Sequence, residues 1–179
     1  MKKKYLLFIL PLVLIGGTWL YFQANQTKVL DGFKLIPENA LYVLETKDPI
    51  ANWTAFSDTE IWQILKHHPV MADLTDDADY LDTLISDNRK IFDWFDGRPL
   101  LISAHAIGTK EYDFLFVAGV SPKAKKSLLL LGLKQVLKSS GYTCSELSIE
   151  SLTVFQATDN IGESMYFAHI DNQLICSYS

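Results

Sequence analysis

PLLISAHAIGTKEYDFLFVAGV, Pro99 to Val120, is the stretch on which the fold turns. Two apolar runs, Pro99 to Ile107 and Tyr112 to Val120, flank Gly108-Thr109-Lys110-Glu111, a loop whose length and composition suit a hairpin. The two runs are therefore predicted to pair antiparallel. In the second, Tyr112, Phe114 and Phe116 alternate with Leu115 and Val117, so apolar side chains emerge on both faces, as in an interior strand.

Working outward toward the carboxyl terminus, Ser121-Pro122 supplies a cap and a first-turn proline for a helix running to about Ser139, with Gly141 as terminator. Leu129, Leu133, Val136 and Leu137 share its inward face, and Lys123, Lys134 and Lys138 lie on another arc. Four short strands follow, Tyr142 to Leu147, Leu152 to Ala157, Met165 to Ile170 and Gln173 to Tyr178, with turns at Asp159-Asn160 and Asp171-Asn172. The last two are expected to form a hairpin that sets His169 near Gln173 and Phe167 near Ile175. Gln173 to Tyr178 carries apolar residues on both faces yet ends the chain, so its outer edge is expected to be covered by further chain or to drive self-association.

Toward the amino terminus, Ile36-Pro37-Glu38-Asn39 turns the chain into Ala40 to Glu45, a short apolar run that reads as a buried strand. Asp48-Pro49 marks a helix entry, and Ser57 or Asp58 is expected to cap a second helix through Ile61, Trp62, Ile64 and Leu65. From Val70 to Asp87, Met71, Leu74, Ala78, Leu81 and Ile85 recur at three- and four-residue steps and share one face. A shorter piece, Ile91 to Phe95, ends at Asp96-Gly97. The order strand, helices, two strands, helix, four strands implies an α+β domain, residues 36–179, with a mostly antiparallel sheet and helices packed on one face.

Residues 1–22 have a different character. Lys2, Lys3 and Lys4 precede an uncharged run from Tyr5 to Phe22, whose 18 residues span roughly 27 Å as a helix, close to the hydrocarbon thickness of a bilayer. Its circumference is apolar throughout, and the lysines favour a cytoplasmic amino terminus, which makes it a single-pass signal-anchor with residues 5–22 in the lipid bilayer. The bulky Trp19, Leu20, Tyr21 and Phe22 stand where a signal peptidase requires small side chains. Residues 23–35 then read as a tether and the remainder as an extracytoplasmic domain. Setting aside the three lysines leaves 13 basic against 21 acidic residues, a formal charge of −8, which argues against nucleic acid as a partner.

The combination of a basic-flanked anchor, Ile36-Pro37-Glu38-Asn39-Ala40 opening the first strand, Asp96-Gly97 closing a helical insert, a strand leading into Ser121-Pro122-Lys123, and Asp171-Asn172-Gln173-Leu174-Ile175 near the end resembles the front part of large bacterial cell-envelope proteins in uncharacterised families. That resemblance implies a longer protein and brings no catalytic residue with it.

Candidate chemistry is sparse. His67-His68 with Asp73, Asp76, Asp77 and Asp79 is the densest set of ligand-type side chains, but adjacent helical histidines point about 100° apart and cannot easily grip one ion. No metal or cofactor site is expected. Ser103 and His105 share a strand face and Asp113 lies across the hairpin, so a Ser-His-Asp arrangement is conceivable, without a Gly-x-Ser-x-Gly elbow to support it. Cys144 and Cys176 fall in the exported part, where a disulfide would persist. Trp53 and Trp62 would form a binding surface if exposed. The expectation is a membrane-tethered binding or scaffold domain, with an envelope protein or a second copy as partner. An envelope hydrolase, with its site near His105 or in a part beyond Ser179, is the alternative.

Overall fold

The computed structural model describes residues 30–67, 72–109 and 111–178, without the side chains of 72–77 and 81. Seven strands form one antiparallel sheet: β1 (Ala40–Thr46), β2 (Leu100–Ala106), β3 (Tyr112–Gly119), β4 (Thr143–Ile149), β5 (Leu152–Thr158), β6 (Ser164–Ile170) and β7 (Gln173–Ser177). Their spatial order is β1-β2-β3-β7-β6-β5-β4, two meanders joined where β3 meets β7. The hairpin that the Pro99 to Val120 pattern implies is present, with Ile102 opposite Phe116 and Leu101 opposite Val117.

Helices α1 (Pro49–Ser57), α2 (Glu60–Leu65), α3 (Ala72–Asp87) and α4 (Arg89–Phe92) connect β1 to β2, and α5 (Lys126–Ser139) connects β3 to β4. Asp48 caps α1 by accepting from the Ala51 N–H at 3.0 Å. The cap of α2 is Thr59, whose hydroxyl accepts from the Trp62 N–H, rather than Ser57 or Asp58. Likewise α5 begins at Lys126 and not at Ser121. Val120 N–H donates to Asn172 O and Ser121 N–H to Trp94 O, so the chain is held by its neighbours at the point where local pattern favours a helix start.

The main core lies between α5 and one face of the sheet. Leu130 packs with Phe155, Ala157 and Phe167, while Leu129 packs with Val120 and Leu174. A methylene buried in such a layer stabilises by roughly 0.8 kcal/mol, so this layer is the main apolar contribution to the fold. The opposite face receives the short 3-10 turn Gly32–Leu35, where a Cβ on Gly32 would stand 3.0 Å from Leu101 Cδ1. Gln173 Nε2 donates to Leu30 O at 2.7 Å and Leu30 N–H donates to Asn172 Oδ1 at 2.6 Å. From Leu30 onward, then, the stretch expected to be a tether is bound to the sheet.

The largest departure from expectation is β7. Its double-sided apolar pattern does place it inside the sheet, but the strand that covers its outer side is β3, already present in the chain. Sequence order does not reveal this, because β3 precedes β7 by about 60 residues and nothing local records their pairing. The β6–β7 register also differs by one residue, with His169 opposite Leu174 and Phe167 opposite Cys176. A two-residue loop, Asp171-Asn172, must close on Ile170 and Gln173, and only Asp171 adopts a positive φ, 51°. The edges of the described sheet are β1 and β4. No described helix is long and apolar enough to cross a membrane, and Tyr5 to Phe22 lies outside the described residues.

His169 is buried on the helix-bearing face, and its Nδ1 has no hydrogen-bond partner among the described residues. Burial, followed by the nearby charge of Lys126, holds its pKa below the ordinary value of about 6.5. The unfolded chain therefore binds this proton more readily than the folded one. The stability contributed by neutral His169 is present above about pH 6.5 and is lost as pH falls from there through the lower folded-state pKa. Urea denaturation between pH 7.5 and 5 should show falling stability, and His169→Phe should flatten that slope.

Candidate functional site

Between the helical insert and the sheet lies a cavity of about 350 Å³. Ile50 and Trp53 of α1, Ile85 of α3, Ile91 and Phe92 of α4, and Leu133 and Val136 of α5 form its upper walls, while Leu100, Ala118 and Leu174 form its floor. Its surface is almost wholly carbon, and Arg98, on the segment leading into β2, is the one charged residue on the wall among the described residues. Local contacts fix the walls relative to one another. Trp53 Nε1–H donates to Asp82 Oδ1 at 2.5 Å, which ties α1 to α3. Trp53 also meets Trp62 edge-on at 5.5 Å, and the Phe56 ring lies tilted at 5.3 Å from that of Trp62. At the far side Gly132 lets α5 approach α4, since a Cβ there would fall 2.9 Å from Ile91 Cδ1.

The two tryptophans thus have different places. Trp62 is only 5% exposed and offers no surface to a partner, because it anchors the short α2 to the aromatic cluster. Trp53 is half-buried, with one side in the cluster and the other on the cavity wall. Sequence reasoning missed the cavity itself. Gly132 inside a helix was the available signal, since an interior glycine often marks the close approach of a neighbour.

Ser103 and His105 do interact. Ser103 Oγ lies 2.9 Å from His105 Nε2, and His105 Nδ1 lies 3.3 Å from Asn39 Oδ1. Asp113 stands opposite His105 in the hairpin, but its carboxylate accepts from Ser177 Oγ at 3.1 Å and from the Phe114 N–H at 2.7 Å. The third member is thus an amide from the entry to β1 and not the acid expected from across the hairpin. Ser103 is 0% exposed, so a substrate carbonyl could reach its hydroxyl only by displacing the groups that cover it. The chemistry that this arrangement performs as it stands is to fasten Asn39 to β2.

Cys144 and Cys176 do not form a disulfide. They lie on β4 and β7, with β5 and β6 between them, and three inter-strand spacings of about 4.8 Å place them far beyond the roughly 7 Å that a disulfide tolerates. Both thiols pack against the Phe155 and Phe167 core instead. His67 Nδ1 is 2.6 Å from Gln63 O, while His68 and the side chains of Asp73, Asp76 and Asp77 lie outside the described residues. Among the described residues no three His, Cys, Asp or Glu side chains converge on a common point. Lys134 pairs with Glu146 and sits 4.4 Å above the Phe155 ring, which assigns it to the sheet–helix seam. No family model, curated protein or solved structure matches this chain.

Burial, with a smaller contribution from Asp113, pushes the Cys176 thiol up to about 12. The thiolate is the reactive form, so Cys176 should resist iodoacetamide at pH 8 in the folded protein and react quickly in guanidinium. Peptide mass mapping of the alkylated chain checks this, and full labelling of Cys176 under native conditions would contradict the packing described.

Proposed function

We propose that this chain is a single-pass, membrane-tethered extracytoplasmic domain that binds rather than catalyses, and that its binding site is the cavity beside Trp53. The observation that carries the proposal is a carbon-lined space of about 350 Å³ with a single charged residue, Arg98, on its wall among the described residues. Volumes of roughly 300–1,000 Å³ with an apolar lining and few polar groups are typical of small-ligand sites. The chemistry suits an apolar chain or ring held against Trp53, Ile91 and Leu133, with Arg98 as the cation available to an acidic group it carries. A membrane location supports the same class of ligand. Seven residues separate Phe22 from Leu30, so the domain stays within about 25 Å of the bilayer, where amphiphiles are concentrated. The hydrolase reading is weaker, because the hydroxyl that would attack is the buried one of Ser103.

A dansylated fatty acid added to the full-length chain in detergent should gain fluorescence on binding. Ala118→Phe, which projects a ring into the cavity, should weaken binding at least 10-fold with the circular dichroism melt retained, since the loss of a well-filled apolar pocket is typically worth about 1.4 kcal/mol or more. Arg98→Ala should lower affinity for the acid more than for its methyl ester. Equal binding by wild type and Ala118→Phe would remove the cavity from consideration.

Topology is tested separately. Protease added to spheroplasts should degrade the domain, and the chain recovered from intact cells should retain Lys2 to Lys4. A mature product beginning between Thr18 and Asn25 would mean that Tyr5 to Phe22 is a cleaved signal peptide.

A further inference from the structure

We infer that β1 is a homotypic docking edge, at which two copies of this chain join their sheets by antiparallel β1 to β1 pairing about a dyad through Val43. The inference goes beyond the proposed ligand site, rests on the proposed membrane tether for one of its two arguments, and concerns residues Leu41 to Leu44, none of which lines the cavity.

β1 pairs with β2 on one side, and no described strand pairs with the other. Half of its backbone N–H and C=O groups therefore face outward along an open edge. Leu41, Tyr42, Val43 and Leu44, four large apolar residues in succession, remain 37–64% exposed. Tyr42 and Leu44 lie on the helix-bearing face, opposite Ala104 and Ile102, and Val43 lies on the other, opposite Ser103. Neither face is polar. The other edge is built differently: β4 interrupts its apolar residues with Thr143, Ser145, Glu146 and Ser148, the kind of device that discourages edge pairing. Within β1 the only charge is Glu45, there is no proline or lysine, and the irregularity lies at its start, between Ala40 and Tyr42.

Two features select a second copy as the occupant. The first is that the strand complements itself. Residues directly opposed across an antiparallel pair share a face, so a dyad perpendicular to the sheet must pass through a residue. Through Val43, it sets Tyr42 opposite Leu44 in both halves and Val43 opposite its own counterpart, and Glu45 meets no like charge. Through Leu44, it would set Val43 against Glu45 and Tyr42 against Thr46, and the apolar match would be lost. The second feature is where the chain enters. Gly32 packs on Leu101 and Val117, and Leu30 is held by Gln173, on the face opposite the helices. A perpendicular dyad keeps that face of both copies on one side. Two chains whose amino-terminal segments enter one bilayer can therefore pair without either domain turning over.

The test uses the full-length chain, both in isolated membranes and after detergent extraction. Val43→Cys should form a dimer on mild oxidation that reduction reverses, well above the background from Cys144 and Cys176 in the wild type. Tyr42→Cys and Leu44→Cys should each cross-link poorly alone but efficiently when mixed, which is specific to this register. Ile149→Cys, on the opposite edge, should stay at background. Sedimentation in detergent should show a monomer–dimer equilibrium in the micromolar range, and Leu44→Lys, at an exposed position, should weaken it at least 10-fold with the melting curve retained. The inference is overturned by a chain that stays monomeric up to about 100 µM, by equal cross-linking of Val43→Cys and Ile149→Cys, or by strong cross-linking of Tyr42→Cys with itself. Extracted protein reports pairing whichever side of the bilayer the domain occupies and whether or not the cavity binds a ligand. Failure here leaves the proposed function standing, and failure of fatty-acid binding leaves the dimer standing.

Discussion

One sheet exists here because β3 pairs with β7. Without that ladder, β1–β2–β3 and β4–β5–β6–β7 would be separate meanders, each with an extra open edge. With it, Phe116 meets Cys176 and Val117 meets Ile175 at the centre of the molecule. The side-chain bond from Ser177 Oγ to Asp113 and the backbone bond from Val120 to Asn172 secure the two ends of the seam. Because the partners are about 60 residues apart, closing that loop costs entropy before any contact repays it. The pairing must therefore be supported by the apolar layer that α5 places over it.

The seam also determines where α5 can lie. Leaving β3 at the centre and entering β4 at the edge, the chain must cross β7, β6 and β5, and α5 makes that crossing with Leu129 and Leu130 facing down. The helical insert between β1 and β2 then occupies the neighbouring part of the same face. Where the two helical groups meet, Gly132 lets α5 approach Ile91 of α4, while the Trp53 to Asp82 bond ties α1 to α3 within the insert. The cavity is the space left between them. Beyond the insert no described helix reaches, and Tyr42 and Leu44 on β1 stay exposed on the face that also carries a row of aromatic rings formed by Tyr112, Phe114, Phe116 and Tyr178.

Electrostatics plays a secondary part. The ion pairs among the described residues are Arg89 with Asp93, an exposed i,i+4 pair, and Lys134 with Glu146 at the seam between α5 and β4. Such pairs are worth at most about 1 kcal/mol each, so apolar burial and backbone pairing carry the fold. His169, Cys176 and Tyr178 are displaced from ordinary behaviour by burial first, and His169 and Cys176 both lie on the helix-bearing face.

The element order, the α+β class and the antiparallel hairpins were legible in the sequence, because strand alternation, helical spacing and turn residues such as Asp48-Pro49, Asp96-Gly97 and Asp171-Asn172 act over a few neighbours. The double-sided apolar pattern of Gln173 to Tyr178 also marked an interior strand correctly. What only tertiary structure decided was identity of partners. That β3 covers β7, that β5 and β6 separate Cys144 from Cys176, that Asp113 serves Ser177 while Asn39 serves His105, and that Trp62 is buried while Trp53 walls a cavity all depend on contacts across tens of residues. The apolar run Ala40 to Glu45 shows the limit most plainly. Its composition reads as a buried strand, but burial is a property of what lies beside a strand, and on the outer side of β1 no described strand does.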